Sequence, residues 1–140
     1  MTLVVDSSVV VAALIDNGSV GEWAESLLMS GPIAAPHLMP AEVANILRRS
    51  ALAGDVSADV ASLAHGDLGL LRLELFPYSL CASRVWELRS NVTAYDAWYV
   101  ALAETLDAPL ATLDLRLSRA AGVRCEIVLP PDPAPTEPGA

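Results

Sequence analysis

Lysine is absent from the sequence, and all eight basic residues are arginine. This absence excludes every mechanism that requires a catalytic lysine. Seventeen acidic residues bring the net charge to −9, so the chain also lacks the basic surface on which nonspecific binding of nucleic acid depends. Any chemistry on a phosphate group must therefore rely on metal ions and a few arginines.

Cysteines and long apolar runs are also scarce. Only Cys81 and Cys125 are present, both among apolar neighbours, which favours reduced core thiols over a disulfide scaffold. Although 54% of the residues are hydrophobic, no apolar run reaches the roughly 18 residues that a membrane span requires. The N-terminus has no basic region before its apolar run, which argues against a signal peptide. We expect a cytoplasmic protein that does not contact a membrane.

A chain of 140 residues is the size of one ordinary domain. Apolar residues are frequent up to Leu129, but the end of the chain, LPPDPAPTEPGA, is rich in proline and has almost no large apolar groups. Such a segment cannot bury enough surface to offset the entropy lost on ordering. We predict a single domain over residues 1–129 and a flexible tail over residues 130–140.

Short apolar runs alternate with longer helical patterns along the chain. This alternation predicts an α/β fold in which helices cover both faces of a mostly parallel, five-stranded sheet. The predicted strands are 3–5, 33–35, 71–75, 110–113 and 125–128, and the predicted helices are 9–14, 19–29, 39–53, 57–68, 79–89, 94–106 and 114–121.

Four acidic residues lie at the start of a helix or directly after a strand. Asp6 and Asp114 follow predicted strands, and sites in open α/β sheets form at the carboxyl ends of strands. Glu42 and Asp96 lie in the first turns of two helices, where the helix dipole favours negative charge. Taken singly, Asp6 and Asp114 are explained by capping and Glu42 by the helix dipole. A capping box explains Asp96 less well, because Glu is the usual residue at that position. Four such residues converging at one edge of the sheet are better explained by a functional site.

Clustered carboxylates repel one another and raise one another's pKa values. Mg²⁺ resolves this conflict, because it prefers oxygen ligands and keeps several bound waters. A metal-held water supplies a hydroxide-like nucleophile near neutral pH, and the metal stabilises charge that develops on phosphate. The predicted cluster therefore suits phosphodiester hydrolysis without lysine or histidine.

Four segments resemble the PIN-domain family, and within it the VapC-like ribonuclease toxins of type II toxin–antitoxin pairs. They follow one another in the family's order and spacing, and the resemblance covers nearly the whole chain up to residue 129. The segments are LVVDSSVVVAAL at 3–14, PAEVANILRR at 40–49, TAYDAWYVALAE at 93–104 and ATLDLRLSRAAG at 111–122.

The resemblance implies a three-layer α/β/α sandwich, dependence on Mg²⁺ or Mn²⁺, and selective cleavage of single-stranded RNA. It also implies a VapB-like cognate antitoxin as a protein partner. The catalytic and metal-binding roles fall on Asp6, Glu42, Asp96 and Asp114, with supporting roles for Ser7, Asn45 and Thr112.

Other residues with chemical side chains have simpler explanations. His37 and His65 are expected at capping or surface positions. Arg116 and Arg119 lie just past Asp114, so they are the first candidates for contacts to RNA phosphates.

Three tryptophans offer faces on which bases could stack. The helical spacing of Trp23, Trp86 and Trp98 is more typical of packing in a core or a dimer interface. We expect the chain to form a homodimer.

Three other small α/β site types are excluded by what the sequence lacks. A phospho-acceptor receiver domain and a P-loop nucleotide binder both require a lysine. A haloacid-dehalogenase-type phosphatase requires Asp-x-Asp, where this chain has Asp6-Ser7-Ser8. One alternative stays open, a non-catalytic PIN-like module that binds RNA or protein. All four acids are present, and a Mg²⁺-dependent cleavage assay separates the two hypotheses.

Overall fold

The computed structural model describes residues 1–131, so most of the predicted tail, from residue 132 onward, lies outside the described residues. Within the described range, five strands form one sheet that is accompanied by seven α-helices and a 3₁₀ turn at Tyr78–Leu80. The strands are β1 (Leu3–Val5), β2 (Ile33–Pro36), β3 (Leu73–Phe76), β4 (Leu110–Ala111) and β5 (Ile127–Val128). The helices are α1 (Ser7–Ile15), α2 (Ser19–Leu28), α3 (Met39–Leu52), α4 (Ala58–Leu68), α5 (Ala82–Glu87), α6 (Ala94–Thr105) and α7 (Leu115–Ser118).

The strand order is β3-β2-β1-β4-β5, and every pairing is parallel. The central strand β1 pairs on both sides, with Val4 aligned to Ala34 of β2 and to Leu110 of β4. Right-handed crossovers then place α1 to α4 on one face of the sheet and α5 to α7 on the other. The predicted three-layer α/β/α fold is confirmed. The order reverses between β1 and β4, which is where open α/β sheets bind their ligands.

The core lies on both sides of the central strands. The three residues of β1 are buried, as a strand covered on both faces requires. Helix α6 packs on β1, β2 and β4, and its alanines, among them Ala97, Ala101 and Ala103, let it approach the sheet closely. In residues 1–131, none of the helices has the length and apolar character needed to span a bilayer.

Two predicted helices are shorter than the sequence indicates. Helix 79–89 is interrupted because the N–H of Cys81 donates to the carbonyl of Tyr78 and closes a 3₁₀ turn, which leaves only α5. Helix 114–121 is reduced to α7, because the N–H groups that follow bond to carbonyls three residues back rather than four. Local capping patterns do not distinguish these tighter turns from an α-helix.

Strand β4 ends earlier than the predicted 110–113. The N–H of Leu113 donates to Ser8 Oγ at 3.2 Å, and the N–H of Asp114 donates to Thr112 Oγ1 at 3.0 Å. Side chains thus take the backbone donors that would have extended the strand. The other shifts are small, since the predicted third and fifth strands begin two residues later than expected, within the usual variation of element boundaries.

Arg84 of α5 forms an ion pair with Glu104 of α6 and also contacts the chain before β5. Arg84 Nε donates to Glu104 Oε1 at 2.7 Å, and the same guanidinium donates to the Gly122 carbonyl at 2.6 Å. Glu104 also accepts the backbone N–H of Arg124 at 3.0 Å. We expect Glu104→Ala to lower the free energy of unfolding by about 2 kcal/mol in urea titrations, because the Arg84 guanidinium loses its closer carboxylate partner and the Arg124 N–H loses its acceptor.

Glu87 provides the matched control for this prediction. It accepts one bond from the same arginine at 3.1 Å, but its side chain is 62% exposed, against 15% for Glu104. Glu87→Ala should therefore cost less than about 0.5 kcal/mol. Equal losses in the two variants would show that the ion pair to Glu104 does not anchor the helices.

Candidate active site

The topology brings the four predicted acids to the carboxyl edge of the sheet. Asp6 directly follows β1, and Asp114 lies just past β4, on either side of the point where the strand order reverses. Helices in parallel crossovers run opposite to the strands, so their first turns lie at this same edge. Glu42 is in the first turn of α3, and Asp96 is in the first turn of α6.

Asp6 is 9% exposed, and three hydroxyl groups hold its carboxylate. Ser7 Oγ donates to Oδ1 at 3.2 Å, and Ser8 Oγ and Thr112 Oγ1 donate to Oδ2 at 3.1 and 2.7 Å. Although Asp6 occupies the N-cap position of α1, its side chain makes no cap hydrogen bond. Helix capping therefore does not explain this buried acid.

Thr112 connects Asp6 to Asp114. It is fully buried, and its hydroxyl donates to Asp6 while accepting the N–H of Asp114. The Asp114 carboxylate caps α7 by accepting the N–H of Arg116 at 2.9 Å on Oδ1. The Arg116 guanidinium lies 3.5 Å from the same oxygen, with a side chain that is 93% exposed. For Asp114, capping is thus a real role, and it uses one of the two carboxylate oxygens.

Asp96 faces the same cavity as Asp114. Its N–H donates to the capping residue Thr93 at 3.3 Å, but the reciprocal bond of a capping box, from the Thr93 N–H to the carboxylate, is missing from the described hydrogen bonds. Asp96 and Asp114 line a cavity of about 260 Å³, with Arg116 also in its wall. Burial raises the pKa of the Asp96 carboxyl, and the charges of Asp6 and Asp114 raise it further.

Glu42 lies beside the other acids and accepts a short hydrogen bond from Tyr99. The Tyr99 hydroxyl donates to Glu42 Oε1 at 2.6 Å. Burial raises the pKa of Glu42, the Tyr99 hydrogen bond opposes this shift, and the charges of Asp6 and Asp96 add to it. Each of the four acids is therefore an electrostatic neighbour of at least one other.

The four acids offer only oxygen ligands, which is what a hard divalent cation prefers. Among residues 1–131, no three His, Cys, Asp or Glu side chains are grouped closely enough to hold a metal ion directly. The four carboxylates, with the raised pKa values of Glu42 and Asp96, nonetheless match a hard cation that binds through one or two carboxylates and keeps several waters. The chemistry of the donors fits Mg²⁺ bound in part through water.

The sequence matches the PIN domain over residues 3–123, which is most of the chain. This chain belongs to the PIN-domain family. Its likeness to individual relatives extends over nearly all of both chains. It is 44% identical over 127 residues to Ribonuclease VapC1 of Mycobacterium tuberculosis, covering 90% of this chain and 96% of the relative. It is 38% identical over 129 residues to Ribonuclease VapC9 of the same species, and this match covers 92% of this chain and 98% of the relative.

A solved structure shares the fold of this PIN domain. The crystal structure of VapBC2 from Rickettsia felis, bound to a DNA fragment from its promoter, superposes with a TM-score of 0.63 at 19% identity. The match covers 91% of this chain and 98% of the other. The α/β architecture predicted from the sequence is therefore that of known PIN-domain structures.

The other polar residues that were discussed from the sequence are exposed in this PIN domain. Asn45 is exposed, and its side chain makes no hydrogen bond within the described range, so its supporting role beside Glu42 stays a prediction. Arg116 lines the cavity of Asp96 and Asp114, whereas Arg119 is exposed and is not part of its wall. His37 and His65 are exposed, as surface roles require.

The tryptophans divide into two groups. Trp23 and Trp98 are partly buried and pack against the core, as expected. Trp86 is 66% exposed and lies beneath the Arg89 guanidinium, 4.7 Å from the ring centroid, so a place in the core is wrong for this residue. Cys81 is buried, Cys125 is half-buried, and both are free thiols.

Two residues of the site were not assigned roles from the sequence. Ser8 donates to Asp6 and accepts the N–H of Leu113, and Tyr99 donates to Glu42. The position of Tyr99, three residues after Asp96 on the same helical face, was the only available sign of its proximity.

Proposed function

We propose that this PIN domain is a Mg²⁺-dependent endoribonuclease that acts as the toxin of a toxin–antitoxin pair. The observation that carries the proposal is the convergence of four acids, with no lysine, at the switch point of a parallel sheet. Asp6 is the most telling of them, because its buried carboxylate is held by hydroxyls and is not used for capping. The relatives named as VapC ribonucleases support the reaction type.

Asp6, Glu42, Asp96 and Asp114 would hold the cation, some directly and others through its waters. When bound, Mg²⁺ (or Mn²⁺ in its place) supplies an activated water and stabilises negative charge on the phosphate. Asp96 and Asp114 share the cavity in which an ion and a phosphate group have room. Burial and mutual repulsion disfavour the charged form of Asp96 in the metal-free protein, so a cation there relieves an existing conflict.

The protein's own groups prepare the site for an RNA phosphate. The hydroxyls of Ser7, Ser8 and Thr112 fix the orientation of the Asp6 carboxylate. Arg116 places an exposed guanidinium at the cavity wall, and this group presents a planar fork of donors to phosphate oxygens. Arg119 remains a second candidate for phosphate contact. With few basic residues, binding is expected to favour a single strand that reaches into the cavity.

We further propose that this chain binds an inhibitory protein partner and forms a homodimer. The VapBC2 structure supports a VapB-like antitoxin as partner, and we propose that such a protein inhibits this chain. Exposed apolar side chains offer surfaces for the predicted homodimer, including Leu63, Leu70 and Trp86, which are 70%, 80% and 66% exposed.

The non-catalytic alternative has one observation in its favour. The four carboxylates do not form a closed three-ligand group in the described part of the chain. A module that only binds RNA or protein needs no such group. Metal binding and cleavage separate the two functions.

The proposed function is tested by adding and removing the metal. We expect millimolar Mg²⁺ or Mn²⁺ to support cleavage of a pool of structured RNAs, and EDTA to abolish it. The same metals should raise the melting temperature of the wild type by roughly 3–6 °C if the metal is at about ten times its dissociation constant, because binding to the native state stabilises it.

The control for metal binding compares two aspartates in first turns of helices. Asp96→Asn should lose the metal-induced rise in melting temperature. Asp59→Asn, an exposed residue of α4, should keep it. A wild type that shows neither a thermal shift nor cleavage with either metal would favour the non-catalytic module.

A further inference from the structure

Tyr99 occupies an unusual place for a buried tyrosine. It is 2% exposed, and it lies three residues after Asp96 on α6. Its hydroxyl donates at 2.6 Å to Glu42, which lies 57 positions away in α3. A buried tyrosine needs a hydrogen-bond partner, and a backbone carbonyl would satisfy that need. Here the partner is one of the four clustered acids.

This bond connects the two helical layers at the carboxyl edge of the sheet. Helix α3 belongs to the crossover between β2 and β3, and α6 belongs to the crossover between β3 and β4, on the opposite face. Each helix carries one acid of the site in its first turn. The Tyr99 hydroxyl thus fixes the Glu42 carboxylate relative to the helix that carries Asp96.

The Glu42 carboxylate accepts fewer hydrogen bonds than the Asp6 carboxylate, so the loss of one donor should affect its position more. Three hydroxyls hold Asp6, whereas the described hydrogen bonds give the Glu42 side chain only the donor from Tyr99. A glutamate has several rotatable bonds, so without a partner its carboxylate samples several positions. Since Tyr99 occupies Oε1, the other oxygen, Oε2, has no donor among residues 1–131.

We propose that Tyr99 is a positioning residue of the active site, which holds Glu42 by one oxygen and leaves the other available to the metal and its waters. The inference rests on the proposed function, because it places Glu42 in a metal site. It goes beyond that function by assigning a role to Tyr99, a residue that acts on the site through its hydrogen bond to Glu42.

Tyr99→Phe tests this role, since it removes the hydroxyl and keeps the ring. We expect the dissociation constant for Mn²⁺, measured by calorimetry, to rise about tenfold, as for other residues that orient a metal ligand. The value of kcat for RNA cleavage should fall by a similar factor, while KM stays within twofold. Tyr95→Phe is the matched control, because it removes the same group from the same helix at a side chain that is 62% exposed, and it should match the wild type.

A second pair of variants separates positioning from a general loss of stability. Glu42→Asp shortens the side chain and withdraws its carboxylate from the Tyr99 hydroxyl, so it should weaken Mn²⁺ binding even if Tyr99→Phe folds poorly. In a Glu42→Ala background, adding Tyr99→Phe should cause no further loss of Mn²⁺ affinity, because two residues that act through one contact are not additive.

The outcomes distinguish this inference from the function on which it rests. If the wild type binds Mn²⁺ and cleaves RNA but Tyr99→Phe equals it in both, only the role of Tyr99 is wrong. Losses that add fully in the Glu42→Ala background would likewise overturn it. A wild type that binds no Mn²⁺ and cleaves no RNA would overturn the proposed function, and this inference with it.

Discussion

Asp96→Asn is expected to abolish RNA cleavage, with a rate at least about 10³-fold below that of the wild type. The reason is that several kcal/mol of transition-state stabilisation by the metal would be lost. The same variant should be at least as stable as the wild type in the absence of metal. Burial and the charges of Asp6 and Asp114 already disfavour the charged form of Asp96. Single-turnover cleavage assays and thermal melts measure the two halves of the prediction.

The pH dependence of this stability follows from the direction of the pKa shift. The folded pKa of Asp96 lies above its ordinary value of 3.8, so the ionised group costs stability above that value. The cost disappears as the pH falls through the raised folded pKa. In metal-free buffer, Asp96→Asn should therefore melt above the wild type at pH 7, and this difference should shrink as the pH is lowered toward 4.

Asp6→Asn supplies a contrasting case. It should also lose cleavage, but without a gain in stability, because one oxygen that accepts hydroxyl hydrogen bonds becomes an amide nitrogen. The exposed Asp59→Asn should keep both activity and stability. If Asp6→Asn and Asp96→Asn are both largely unfolded by circular dichroism, the acids are structural and the site assignment fails.

Expression of the chain alone is expected to stop the growth of host cells, and co-expression of the protein encoded beside it is expected to restore growth. Viable counts should differ by orders of magnitude. The physical basis is that clustered carboxylates are a receptor for guanidinium, and a net charge of −9 attracts a basic segment. The Arg116 side chain, 93% exposed and 3.5 Å from Asp114, holds its place weakly and is readily displaced.

Substitutions in the partner identify the contact. Arg→Ala changes near the partner's C-terminus should weaken both inhibition and binding, and the measured affinity should fall as the salt concentration rises. Asp96→Asn provides the control in cells, because it should be harmless without any partner. A chain that is harmless by itself, cleaves no RNA and binds no protein encoded beside it would exclude the toxin function.

The positions of the four acids were predictable because each depends on a local pattern. Asp6 and Asp114 follow apolar strands, while Glu42 and Asp96 lie in first turns of helices. Strand ends and helix starts meet at one edge of any parallel crossover sheet, so their convergence needed no knowledge of distances. The alternation of strand and helix patterns predicted a parallel sheet covered on both faces, and the family resemblance implied the three-layer arrangement.

Contacts between side chains were not predictable in this way. The Tyr99–Glu42 hydrogen bond depends on how closely two helices approach and on two side-chain conformations, and neither leaves a pattern in the sequence. The early end of β4 is similar, because Ser8 takes the N–H of Leu113, a residue 105 positions away. The absence of a closed three-ligand group within residues 1–131 also follows from side-chain placement, which residue types alone do not determine.

The central position of β1 determines when the candidate site can be completed during synthesis. Thr112, which holds Asp6, is made 106 residues after it. Folding of such a sheet must wait for β4, because its non-local pairing closes the longest loop in the chain. A growing chain that stops before Thr112 therefore has Asp6 but lacks both the hydroxyl that holds it and the acid, Asp114, that lies beside that hydroxyl, so the proposed site is incomplete.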